Sequence, residues 1–346
     1  MLFLTRLWFR AVQQNQKGFI WSIIRLLIRL LSCFYLVVIK LRLFFYKIGI
    51  IIRIKLSAYV ISVGNITVGG TGKTPFVMYL SEKLSQKGKV GIISRGYGRS
   101  PNHILDDESF TLTDNVVRAT NPNRYKAGKE LIETLLVKII ILDDGFQHLR
   151  LKRDLDMVLI DATNPFGNER VLPAGILREP LSSLKRADIF VITHTDLVIS
   201  EQLSELESKL SRYNKKIIKT IHKPHYLVLI NQTPNKIVEI SEIKNKNVWG
   251  FCGIGNPYQF HKTLNLLCNV KGFSIFPDHY YYSANDLSII FNKVKDEKVE
   301  AFITTEKDAL RLQNITIPDE LPVYYLKIKM EVTDGENIIQ GIERIA

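Results

Sequence analysis

The sequence predicts an α/β protein: a parallel sheet flanked by helices, followed by a second, smaller α/β region. Three observations predict it. From residue 58 onward, short apolar runs alternate with amphipathic stretches, the sequence mark of strands and helices taken in turn. A glycine-rich loop stands between the first such run and the first helical stretch. A third run, residues 139–142, ends in two aspartates, which puts a carboxylate at the sheet edge where such folds bind ligands.

The strand candidates are residues 59–63, 90–94, 139–142, 157–160 and 189–193, with helices over 75–87 and 124–136. Strand runs separated by helices imply a sheet covered on both faces. A second series begins near Asn247: strands over 248–252, 301–304 and 323–328, and a helix around 258–267. Residues 200–245 between them are more polar and rich in Lys. The expected organisation is a basic amphipathic segment over 1–56, an α/β domain carrying the glycine-rich loop over 57–220, and a smaller α/β domain over 221–346.

The 346 residues, 46% hydrophobic and 23% charged, are ordinary for a folded protein and leave no room for a disordered or collagen-like chain. The net charge of +13 is not ordinary, and it points to an anionic partner. Its placement narrows the choice. No Asp or Glu precedes Glu82, whereas Arg6, Arg10, Lys17, Arg25, Arg29, Lys40, Arg42, Lys47, Arg53, Lys55 and Lys73 do. Three cysteines, Cys33, Cys252 and Cys268, form no C-x-x-C pair, which fits a reducing compartment and disfavours a disulfide framework or a zinc site.

The N-terminal block 17–56 is both basic and greasy. Its longest uncharged run inside the apolar stretch is 30–39, short of the ~20 residues of a conventional span, and no small-residue cleavage site follows it. At about 100° per residue, Arg25, Arg29, Lys40 and Lys47 fall in one narrow sector, with Trp21, Phe34, Tyr35, Phe44 and Phe45 mostly elsewhere. A wide apolar face with a thin cationic stripe suits a helix lying in a headgroup layer. Nucleic-acid arms are polar instead, so no nucleic-acid partner is expected. The alternative is a core helix whose cations snorkel outward.

Residues 62–75 read SVGNITVGGTGKTP. A glycine loop after a strand and before a helix can turn its backbone N–H groups around phosphate oxygens, with the helix N-terminus adding positive field. The phosphate-binding stretch is Thr67, Val68, Gly69, Gly70, Thr71, Gly72, Lys73 and Thr74. Lys73 would reach the β- and γ-phosphates of ATP, and the Thr74 hydroxyl would ligate Mg²⁺. The strict pattern has Gly where this chain has Thr67. Downstream, residues 139–148 read IIILDDGFQH. If strand geometry persists, Asp143 and Asp144 point to opposite faces and do different jobs, at least one of them serving the metal.

These stretches, with ISRGYGR, DDGFQHLRLKRDLD, GNERVLPAGILREPL, GIGNP, PDHY and TTEKDA, occur in order between residues 62 and 309. Together they resemble the tetraacyldisaccharide 4'-kinase family, the lipid A 4'-kinases. The resemblance implies ATP- and Mg²⁺-dependent phosphorylation of the 4'-hydroxyl of a tetraacylated glucosamine disaccharide 1-phosphate. It also implies a peripheral enzyme at the cytoplasmic face of a bacterial inner membrane, which we expect to be monomeric. It further places Arg178 and Glu179 near the transferred phosphate, and Gln147 and Glu179 with Asp143, Asp144 and Thr74 around the metal. Tyr97 and Arg124 are assigned to nucleotide and substrate handling, Asp278 and His279 to a motif of the second domain. The base is expected to be Asp107 supported by His279. The family's Gly-Asp-Glu-Pro is here Asp106-Asp107-Glu108-Ser109.

Other signals carry less. Residues 193–196, Thr-His-Thr-Asp, read as a strand end; His222 and His225, with Pro224 between them, as structural or surface residues; Trp249 as packing; Glu306 and Lys307 as a structural pair. Competing readings are a membrane-bound nucleotide switch, which needs the loop and acidic strand end but not Asp107, Arg178 or His279, and a nucleic-acid-dependent ATPase.

Overall fold

In the computed structural model, residues 18–95, 115–232, 235–278, 280–294, 298–313, 315–317 and 321–345 are described. They form two compact units, Met1–Ile221 with Val332–Ala346, and His222–Glu331.

In the first unit the elements run α1 (Phe19–Lys47), β1 (Tyr59–Gly64), α2 (Lys73–Ser85), β2 (Val90–Ser94), β3 (Val116–Thr120), α3 (Arg124–Leu135), β4 (Ile139–Asp143), β5 (Leu155–Asp161), β6 (Ile189–Thr193), α4 (Ser200–Ser211) and the start of β7 (Lys216–Leu229). The strand order is β3-β2-β4-β1-β5-β6-β7, and every pairing is parallel. Parallel strands need crossover connections, which place helices over the faces and bury the strands on both sides. Accordingly β6 is buried at every position and β4 at all but Asp143. Val60, Ile140 and Leu142 join one core with Ala127 and Leu131 of α3. Val158, Ile160, Phe190 and Ile192 join another with Leu206 and Leu210 of α4. Because β1 pairs directly with β4, the loops leaving both carboxyl ends are neighbours, and the predicted phosphate loop and acidic strand end meet there.

α2 begins where the loop ends. Gly72 takes φ 75° as its N-cap, a left-handed turn that suits glycine. Pro75 falls in the first turn, where a missing N–H costs little. Phe76, Val77, Leu80 and Leu84 then bury one face.

α1 is one continuous helix of 29 residues, longer than the block's interrupted apolar run suggested. By length and hydropathy it could cross a membrane, yet its apolar window is only 11% buried. Ser32 and Ile39 are its buried residues, and Tyr35 and Leu36 pack against the core of β5 and β6.

The second unit has strand order β10-β9-β11-β12-β7, with β8 on β7. Its further elements are β8 (Lys236–Val238), β9 (Asn247–Cys252), α5 (Pro257–Asn265), β10 (Asn269–Ile275), α6 (Ala284–Lys293), β11 (Ala301–Thr305), α7 (Glu306–Leu312) and β12 (Val323–Asp334). The GIGNP and TTEKDA motifs are joined by fully buried Asp308. It accepts from Gly253 N–H at 3.1 Å and from Thr305 Oγ1 at 2.6 Å. Arg311 Nη1 donates to Asp308 Oδ1 at 2.9 Å and to the Gly253 carbonyl at 2.9 Å. The expected Glu306–Lys307 pair is not what forms: Glu306 pairs with Lys327 of β12. Adjacent helical residues point away from each other, whereas β12 lies directly beside β11.

The second region was expected to reach the C-terminus. Instead the chain returns to the first unit from residue 332, and α8 (Glu336–Ile345) packs on α2. Glu336 accepts from Tyr79 Oη at 2.8 Å and Lys83 Nζ at 3.0 Å, while Ile339 and Ile342 are buried. A lone amphipathic helix with an apolar stripe is stabilised by such a docking site rather than by its own propensity.

Gly64 ends β1 where it touches the turn after β4. A Cβ there would lie 2.6 Å from Phe146 N and Cβ, closer than any real contact. Gly64→Ala is expected to destabilise the protein by about 1–3 kcal/mol, read as a lower midpoint in urea or thermal unfolding. An unchanged midpoint would show that the two loops are not tightly packed.

Candidate phosphate-binding site

The loop between β1 and α2 is braced from below and open above. Asn65, fully buried, donates from Nδ2 to Thr71 Oγ1 at 2.9 Å and to Thr67 Oγ1 at 3.4 Å. Gln147 Nε2 donates to the Asn65 carbonyl at 2.8 Å, and Thr193 Oγ1, at the end of β6, donates to the Thr71 carbonyl at 3.2 Å. Val68 N–H is held by the Ile176 carbonyl at 2.8 Å. Gly69 and Gly70 are exposed, so the tip of the loop is left for a ligand. The departure at Thr67 now has an account. Left-handed φ values occur at Gly69 and Gly72, while Thr67 makes a β-bridge with Leu177. Its backbone does not need glycine's freedom.

The acidic strand end separates its two carboxylates, by a different route from strand alternation. β4 stops at Asp143, and Asp144 adopts φ 53°, a left-handed conformation that Asp tolerates. Asp143 faces Arg118 of β3, 3.9 Å from its Nη2. Asp144 faces two cations: Arg178 Nη1 lies 2.8 Å and 3.0 Å from its two oxygens, and Lys73 Nζ lies 3.5 Å away. The buried Arg124 side chain donates from Nη1 to the Asp144 carbonyl at 3.1 Å. Burial alone would favour the protonated Asp144 carboxyl, but Lys73 and Arg178 outweigh it and hold the group below the usual carboxylate range. Burial, with repulsion from Arg178, lowers the Lys73 ammonium below the usual lysine range, while Asp144 pulls it back up. Two cations on one carboxylate leave a net positive charge beside an open glycine loop, which is the field a polyphosphate needs.

Arg178 is delivered by the segment after β5. Its N–H donates to the Ile66 carbonyl at 2.7 Å, stitching the LREP motif to the phosphate loop. Glu179, next in the chain, is almost fully buried. Its nearest partner is Arg186, with Nη2 2.8 Å away, and Arg186 lies over the Phe146 ring at 4.3 Å. Neither Glu179 oxygen accepts a hydrogen bond among the described residues. Buried carboxylate oxygens without donors fit a hydrated cation as a further partner. The described residues contain no cluster of three or more His, Cys, Asp or Glu able to hold a metal. Mg²⁺ takes one or two carboxylates and completes its octahedron with water and phosphate. Thr74, in the first turn of α2, would supply a hydroxyl.

Gln147 braces Asn65 through its amide nitrogen. His148 sits half-buried among arginines. Arg153 Nη1 donates to its carbonyl at 3.1 Å. Burial, together with the charges of Arg124, Arg153, Arg42 and Arg150, lowers the His148 imidazole to about 4. The Thr-His-Thr-Asp stretch closes β6, and buried His194 lies 3.4 Å from Asp161, itself the acceptor for Thr163 N and Oγ1 at 3.0 and 2.7 Å.

The structure therefore brings together Lys73, Arg124, Asp144 and Arg178, with Gln147 beneath them and Asp143 and Glu179 on separate arginine partners. Tyr97, Asp107 and His279 lie outside the described residues, so the expected base stays with the resemblance. Asp278, beside His279, is in the second unit. Sequence reasoning missed Asn65, Arg118 and Arg186. Only Asn65 had a signal, a polar amide closing an apolar strand directly before the glycines.

A parallel sheet whose first strand feeds a Gly-Lys-Thr loop, with a carboxylate and an arginine poised on the loop lysine, has the architecture of a phosphate-loop phosphotransferase. The comparison with known proteins is narrower. The sequence model of the tetraacyldisaccharide-1-P 4'-kinase family matches residues 24–345, and the chain belongs to that family. The Halothermothrix orenii tetraacyldisaccharide 4'-kinase is 35% identical, over 93% of this chain and 93% of that protein. The Syntrophus aciditrophicus tetraacyldisaccharide 4'-kinase is also 35% identical, over 89% of each. The crystal structure of Aquifex aeolicus LpxK in complex with ATP matches with a TM-score of 0.69 at 32% identity, covering 93% of this chain and 99% of that one.

The lowered His148 fixes a pH dependence. Its folded value of about 4 lies below the ordinary 6.5, so the unfolded state takes up the proton first as pH falls. The stability it contributes is present above pH 6.5 and drains away between 6.5 and about 4. His148→Gln is expected to shrink the drop in melting temperature across that window, and an identical drop in both proteins would contradict it.

Proposed function

We propose that this protein transfers the γ-phosphoryl group of ATP to the 4'-hydroxyl of a tetraacylated glucosamine disaccharide 1-phosphate. The observation that carries the reading is the Lys73–Asp144–Arg178 cluster beside the open glycine loop, in a chain of the 4'-kinase family. In this reaction the sugar oxygen bonds to the γ-phosphorus, the bond to the β,γ-bridging oxygen breaks, ADP leaves, and the hydroxyl proton passes to a base. The loop N–H groups and the start of α2 bind the phosphates. Lys73 exchanges Asp144 for phosphate oxygens, and Arg178 neutralises charge as it develops on the transferred group. Thr74 with Asp143, Asp144 or Glu179 would hold Mg²⁺, which would supply charge neutralisation to the phosphates.

We place the work at an anionic membrane surface, on the cytoplasmic face, with the protein peripheral and monomeric. α1 supports this. Its outward side carries Leu26, Leu27, Leu30, Phe34, Val38, Leu41 and Phe44, each more than two-fifths exposed, a far larger apolar patch than a water-soluble surface normally carries. The opposite side is docked on the first unit. A helix occupied along one side and greasy along the other suits lodging in the plane of a leaflet.

The test is transfer of label from [γ-³²P]ATP to the disaccharide 1-phosphate in mixed micelles with Mg²⁺. Transfer is expected, and Lys73→Ala should lower kcat by about 10²–10³-fold or more. A folded protein that hydrolyses ATP equally with and without acceptor, and labels none of it, would be a nucleotide switch instead.

A further inference from the structure

α1 divides into three stripes. Arg25, Arg29, Lys40 and Lys47 form the cationic one, and the exposed leucines, valines and phenylalanines form the apolar one. The third is the docked side, Ser32, Tyr35, Ile39 and Arg42, spaced at three, four and three residues, the spacing of one helical face. Arg42 lies off the cationic stripe and turns inward.

Three of these four side chains donate to backbone carbonyls, and two of those carbonyls belong to residues of the phosphate site. Ser32 Oγ donates to the Val171 carbonyl at 2.8 Å. Tyr35 Oη donates to the Arg178 carbonyl at 2.8 Å. Arg42 Nη2 donates to the Gln147 carbonyl at 2.8 Å. Arg178 is the residue whose guanidinium holds Asp144, and Gln147 is the residue whose amide holds Asn65 beneath the loop. A helix that only anchored the protein would need an outward face and an apolar seam. It would not need directed donors on the backbone of Arg178 and Gln147.

We propose that α1 is part of the positioning machinery of the active site: Tyr35 and Arg42 fix the peptide units of Arg178 and Gln147, so that seating of the helix sets the geometry in which Lys73 and Arg178 meet phosphate. The inference rests on the phosphotransferase reading above. It goes beyond it by making the lipid-facing helix a determinant of turnover as well as of surface affinity. Reactions held in geometry by a few directed contacts lose rate steeply when those contacts slip.

The experiment uses the full-length protein with Tyr35→Phe and Arg42→Met combined, and Arg42→Lys as the conservative partner. Tyr35→Phe removes one hydroxyl and leaves the ring in its packing. Three readouts are taken: sedimentation with anionic phosphatidylglycerol vesicles, kcat and KM in saturating mixed micelles, and amide hydrogen exchange. The double variant is expected to sediment with vesicles as the parent does and to keep its KM for ATP within about twofold. Its kcat should fall roughly tenfold, with faster exchange confined to residues 144–149 and 176–179. Arg42→Lys should recover part of the rate. Unchanged kcat and unchanged exchange would overturn the proposal, and so would a rate loss that vanishes once all protein is vesicle-bound. An inactive parent would refute the kinase reading instead, and the exchange comparison would still decide whether α1 sets these segments.

Discussion

Asp144 is held between Arg178 and Lys73, and much of the surrounding architecture exists to keep that arrangement in place. The left-handed turn that aims Asp144 is secured by Arg124 on its carbonyl. Arg178 reaches it because its own backbone is sewn to Ile66 at the mouth of the phosphate loop. Lys73 is placed by the start of α2. Charge-assisted bonds of this kind contribute about 1.5–3 kcal/mol each, but their larger effect is on readiness. A lysine and an arginine gathered on one carboxylate are already desolvated and oriented before a phosphate arrives, so little reorganisation remains.

The same logic explains why the site is spread over so many segments. The phosphate loop, the turn after β4, the LREP stretch and the end of β6 each contribute one brace to another: Gln147 to Asn65, Arg178 to Ile66, Thr193 to Thr71. These segments are brought together by strand order. β1 lies between β4 and β5, so loops distant in sequence share one sheet edge. In the second unit, Asp308 plays a comparable part by fastening GIGNP to TTEKDA, a structural use for a motif that carried no assigned chemistry.

Much of this was legible in the sequence. The strands beginning at Tyr59, Val90, Ile139 and Ile189 announced themselves as apolar runs bounded by polar residues, and the glycine loop by its context. β3, VVRAT, went unread because an edge strand carrying Arg118 does not alternate cleanly. β10 went unread because it is half-exposed and interrupted by Gly272. At the site, residue types forecast Lys73 and Asp144, and the family resemblance pointed to Arg178. They did not forecast that Gln147 would brace the loop, nor that Glu179 would face Arg186, since both depend on partners far away in sequence. α1 shows the limit most clearly. Its charge and greasiness were readable, but Tyr35 looked like one aromatic among many, and only the fold put its hydroxyl on Arg178.

The return of residues 332–346 to the first unit bears on how the protein is made. α8 covers α2, the helix that carries Lys73 and Thr74, and Glu336 fastens Tyr79 and Lys83 there. During synthesis, every residue of the second unit emerges before that cover is available. Until then Tyr79 and the adjoining flank of α2 stand bare. The first unit thus stays unfinished until the whole second unit has been made, its surface completed by a helix that follows that unit in the chain.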